Sequence, residues 1–118
     1  MRLEQFRNQM SEYRRVVDAE AKSRKDSYLA LERLGQLYQG LRDEERALAN
    51  VVLGEWAVSD DENLRFDALA LIGDFEIRAA VPALETLATQ LATSVTPSAP
   101  FELQKVKKIL SELVSGQD

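Results

Sequence analysis

The chain has 118 residues, with 15 Lys and Arg against 20 Asp and Glu, and neither His nor Cys; one domain with an unstapled core fits that length. The missing residues exclude disulfide, thiolate and zinc–sulfur chemistry and remove the usual neutral-pH proton carrier, so an enzyme would need strongly tuned carboxylates, Lys, Tyr or Ser. Residues 26–76 hold twelve acidic side chains against four basic ones, a net of −8, which disfavours phosphate backbones and favours a basic protein partner.

Apolar residues recur at helical spacing throughout, and no alternating run reads as a strand. Leu3, Phe6, Met10, Tyr13 and Val17 form the stripe of a first helix of about five turns, broken at Ser23 to Asp26. The opening MRLEQFRNQMSEYRR is too charged for a secretory signal, and no run approaches the ~20 apolar residues of a membrane span. A cytoplasmic protein is expected, without membrane attachment. Arg2, Arg7, Arg14 and Arg15 share their polar face with Glu4, Glu12, Asp18 and Glu20, as on an end-capping helix.

Tyr28, Leu31, Leu34, Leu37 and Tyr38 predict a second helix ending at Gly40. A third follows Arg42, with Leu48, Val51, Val52 and Trp56 on its apolar side and Trp56 expected in the core. Asp60 is expected to cap a fourth, with Asp61 and Glu62 in a first turn where the helix dipole favours negative charge. SDDEN lacks the spacing of a calcium loop. Gly73 is expected to close this helix in the left-handed conformation, and Pro82 to sit in the first turn of the next. A fifth helix spans about 78–92 on Val81, Leu84, Leu87 and Leu91. The loop TSVTPSAP precedes a sixth, with Phe101, Val106, Ile109, Leu110 and Leu113 on its apolar side and Lys105, Lys107 and Lys108 on a solvated face. Tyr13, Tyr28 and Tyr38 suit half-buried seams.

Six helices with short turns predict an all-α domain over 1–118, built from three αα-hairpins at about 2–40, 43–74 and 77–115. Over ENLRFDALALIGDFEIRAAVPALETLATQL the chain resembles HEAT repeats, particularly the short form of phycobiliprotein lyases. Arg65, Ala68, Leu69 and Gly73 match that family's inner helix, and Ala80, Val81, Pro82, Ala83 and Leu84 the start of its outer helix. The resemblance implies a short right-handed α-solenoid, with the fourth helix lining its concave side.

Around that helix Leu64, Ala68, Leu71 and Ile72 fall on one flank, and Phe66, Leu69 and Gly73 on the other. Burial between two neighbours would leave only Asn63, Asp67, Ala70 and Asp74 exposed, an acidic strip expected to meet a partner's Lys or Arg. The expected function is a non-catalytic protein-binding module, needing neither cofactor nor metal: an adaptor, or a stoichiometric inhibitor like the acidic immunity proteins that neutralise bacterial toxins. Such a module would be a monomer or a weak homo-oligomer, binding no nucleic acid. The alternatives are an accessory subunit of a bilin lyase-like complex and a homo-oligomeric structural protein. Two enzyme precedents among HEAT-like proteins fit poorly: iron-binding hydroxylases need His-Glu pairs, and DNA glycosylases need a basic concave face.

Overall fold

The helical periodicity translates into six α-helices and one 3-10 turn, with no strand among the described residues, in a computed structural model that describes residues 2–26 and 28–115. The helices are α1 (Leu3–Arg24), α2 (Leu29–Gln39), α3 (Asp43–Ala57), α4 (Glu62–Asp74), α5 (Val81–Ala92) and α6 (Ala99–Ser115), with the 3-10 turn at Arg78–Ala80. The expected range 1–118 extends beyond the described residues at both ends. None of these helices is long and apolar enough to cross a membrane. The chain divides into two compact units, one through Val52 and one from Leu53, with the boundary inside α3.

In the first unit α1 packs on α2, burying Val17, Ala21, Leu29 and Ala30 with Tyr13 against them. The Tyr13 hydroxyl donates to the Arg33 carbonyl at 3.3 Å, while Tyr28 is 74% exposed and lies in no seam. Tyr38 is buried and donates to Asn50 Oδ1 at 2.7 Å, and burial raises its phenol above the ordinary range. Arg46 lies over the Tyr38 ring and donates to the Gln39 carbonyl at 3.0 Å, placing a cation at the C-terminus of α2, where the dipole favours it. The backbone N–H of Arg42 donates to Glu45 at 3.1 Å; that bond holds the Glu45 carboxyl below its usual range and fixes the start of α3.

Helix α4 ends differently from the expectation. Gly73 remains helical, and the left-handed residue is Glu76, with φ 50°. Lys25 does the same after α1, with φ 55°. Both ends carry the same long backbone bond, Asp26 N–H to the Ala21 carbonyl and Ile77 N–H to the Ile72 carbonyl, each 3.0 Å. This is the Schellman closure, formed here without glycine. A Cβ at Gly73 would lie 3.7 Å from the Ile109 side chain of α6, an ordinary van der Waals contact.

Gly35, inside α2, has no such neighbour: a Cβ there would meet nothing within 4 Å. Gly35→Ala should therefore stabilise the protein by ~0.5–1 kcal/mol, through helix propensity alone. Urea unfolding followed by circular dichroism measures this, and a loss of stability would contradict it.

The second unit is built on the α5–α6 hairpin, with α4 against α6. Leu53, Trp56, Ala68, Leu69, Ile72, Leu84, Leu87, Val106 and Leu113 are buried, Trp56 as expected. Full burial of one such leucine stabilises by about 1.5–3 kcal/mol, more than the exposed pairs Glu12–Arg15 and Asp18–Lys22 on α1 can contribute. Pro82 occupies the first turn of α5, as expected. Along the exposed side of α5 three hydroxyls return to their own helix: Thr86 donates to the Pro82 carbonyl, Thr89 to that of Glu85, and Thr93 to those of Thr89 and Gln90, at 3.1–3.4 Å. Helix α6 begins at Ala99, two residues before Phe101, and Phe101 is 76% exposed rather than part of the apolar stripe. Val51, assigned to the apolar side of α3, is also exposed.

The expected environment of α4 is corrected in two places. Asp67 is buried, at 8% exposure, and engaged in a polar interaction, whereas Phe66 is 48% exposed. The solvent sector thus centres on Phe66, about 100° around the helix from Asp67. Asp67 lies four residues before buried Leu71 and shares its face. Of the predicted strip, Asn63 and Asp74 are exposed at opposite ends of α4, and Ala70 is half-buried.

Candidate functional site

The site is assembled at the start of α4. Its N-cap is Asp61, one residue later than expected, whose carboxylate accepts from the N–H groups of Asn63 at 2.9 Å and Leu64 at 3.3 Å. Ser59 Oγ accepts from the Asp61 N–H at 3.1 Å. Asp60 is thereby left outside the cap and exposed, and so is Glu62 in the first turn.

One turn into α4, Arg65 ties three segments together. Its Nη1 donates to the Ser59 carbonyl at 2.9 Å, and Nε and Nη2 fork onto Glu102 Oε1 and Oε2 at 2.7 and 3.1 Å. Glu102 stands in the first turn of α6, where the helix dipole favours a carboxylate. The two side chains are only 15% and 12% exposed. Hydrogen bonding to Glu102 holds the Arg65 guanidinium above its usual range, with smaller contributions from the Glu62 and Asp60 charges. A bidentate pair so shielded is a rigid element, unlike the exposed pairs of α1.

Two concavities flank this pair and share Glu62. On the Arg65 side lies a hollow of about 430 Å³ with a polar lip of Ser59, Asp60, Gln90, Ser94 and Thr96. Leu87 and Leu91 give it an apolar base. On the Glu102 side lies a groove of about 300 Å³ containing Phe66, Phe101 and buried Leu69, edged by Asn63, Ser98 and Lys105. The Lys105 ammonium sits 4.2 Å from the centroid of the Phe66 ring, a cation–π contact.

Of the four predicted site residues, only Asn63 reaches this surface. Asp67 is buried and Asp74 lies at the far end of α4, so Asn63, Asp67, Ala70 and Asp74 do not form one exposed acidic row. No group of three or more metal-ligating side chains occurs among the described residues. The arrangement offers apolar contact area beside carboxylates that accept hydrogen bonds from cations.

Sequence reasoning missed Phe66, Phe101, Lys105 and the Arg65–Glu102 pair. A signal for Phe101 existed: Leu103, Val106, Ile109 and Leu113 keep helical spacing, and Phe101, five residues before Val106, falls about 140° off that phase. The ion pair joins residues 37 apart, and nothing local announces it. No protein-family model, curated protein or solved structure matches this chain.

Proposed function

We propose that this chain is a non-catalytic, cytoplasmic protein-binding module of HEAT-like type, acting as an adaptor or stoichiometric inhibitor, and that its partner docks on the α4–α6 groove. The observation that carries this reading is the pair of phenylalanine rings, Phe66 and Phe101, left exposed over one groove. Aromatic anchors of this kind carry much of the binding energy in protein interfaces. The charge balance supports a basic partner, since residues 53–118 hold eleven acidic side chains against five basic ones. The HEAT-like reading is supported by the placement of its motif residues, with Arg65 to Gly73 on α4 and Pro82 in the first turn of α5.

The test is affinity capture from the source cells with wild type and the Phe66→Ser/Phe101→Ser variant, both matched for helicity. Loss of two interface anchors should weaken capture at least tenfold, equivalent to about 1.4 kcal/mol or more. An unchanged set of captured proteins would remove the groove from the function. Sedimentation of the purified chain separates the homo-oligomeric alternative, which expects a dimer that survives dilution and is disrupted by the same two substitutions.

A further inference from the structure

We infer that the occupant of this surface is a basic amphipathic helix, its apolar side chains in the Phe66–Phe101 groove and its Lys or Arg in the neighbouring hollow beside Asp60 and Glu62. The inference rests on the protein-binding reading and adds the partner's chemistry. Three observations lead to it.

The first is charge. Asp60 and Glu62 are exposed and form no ion pair among the described residues, while the one guanidinium at the site, Arg65, is occupied by Glu102 and the Ser59 carbonyl. The lip thus presents two carboxylates without an ion-pair partner among the described residues, and an occupant that brings cations complements it. The second is placement. Phe66, Phe101 and buried Leu69 lie in the groove while Glu62 borders both groove and hollow, so a helix that lays its apolar face in the groove brings the cations flanking that face to the acidic lip. An extended strand has no sheet edge to join, since no strand exists among the described residues. The third is Lys105. Its ammonium rests on the Phe66 ring and so marks the face that an incoming apolar side chain would take over.

The probe is a labelled helical peptide of about 16 residues with Leu on one face and Lys on the other. Its controls are a Leu/Glu peptide of the same pattern and a basic proline-rich peptide, each titrated by fluorescence anisotropy at low salt. The Leu/Lys helix should bind best. Phe66→Ser should weaken it at least tenfold, and Asp60→Asn with Glu62→Gln at least fivefold. Lys105→Gln should tighten binding severalfold by clearing the Phe66 face and removing a like charge. Equal binding of the Leu/Glu peptide, preference for the proline-rich peptide, or indifference to either Phe66→Ser or the Asp60/Glu62 change would overturn the inference. Cellular capture that depends on Phe66 and Phe101 but not on Asp60 and Glu62 would leave the protein-binding reading standing while this inference fell.

Discussion

Asp67→Lys should destabilise the protein by about 3–5 kcal/mol, whereas Asp74→Lys should change its stability by less than about 0.5 kcal/mol. The two aspartates sit seven residues apart on one side of α4, and a reading by helical phase alone treats them alike. Burial separates them. Asp67 is almost covered and engaged in a polar interaction, so a lysine there must place an ammonium of the wrong sign in the same low-dielectric site. Asp74 is in the last turn of α4 and exposed, and a cation there also complements the helix dipole. Urea midpoints for the two variants measure the difference. Equal effects would mean that Asp67 is as solvated as Asp74.

The Arg65–Glu102 pair gives the second large expected effect. Glu102→Ala should cost about 2–3 kcal/mol, because it leaves a shielded guanidinium holding only the Ser59 carbonyl. Arg65→Met should cost a similar amount, and the double variant less than the sum, with a coupling of about 2 kcal/mol. Raised salt should hardly diminish this coupling, since screening acts weakly on a pair this shielded. A double-mutant cycle in urea, repeated at high salt, tests both statements. Additive losses would mean that the fork contributes no interaction of its own.

How much was legible in the sequence depends on the range of the forces involved. Helix existence is written locally, in apolar spacing and in residues such as Pro82, and all six helices are where that spacing puts them, with some ends displaced by a residue or more. Their stops were less legible. A Schellman closure is fixed by backbone hydrogen bonds, and Glu76 meets its conformational requirement where Gly73 was expected to, as Lys25 does after α1. Which sector of α4 faces water was not legible at all. Helical phase ranks residues around a helix but does not say how wide an arc its neighbours cover, and here the covered arc reaches Asp67 and stops short of Phe66. The acidic row expected along α4 is interrupted at Asp67 for that reason.

Thr86 and Thr89 of α5 and Thr93 at its C-cap bear on specificity. Each hydroxyl proton is already given to a carbonyl of its own helix, so this flank has few donors to offer an approaching molecule. A partner sliding over the second unit would find that side polar yet unresponsive. Discrimination between partners would thus fall to the hollow's acidic lip, where Asp60 and Glu62 form no ion pair among the described residues.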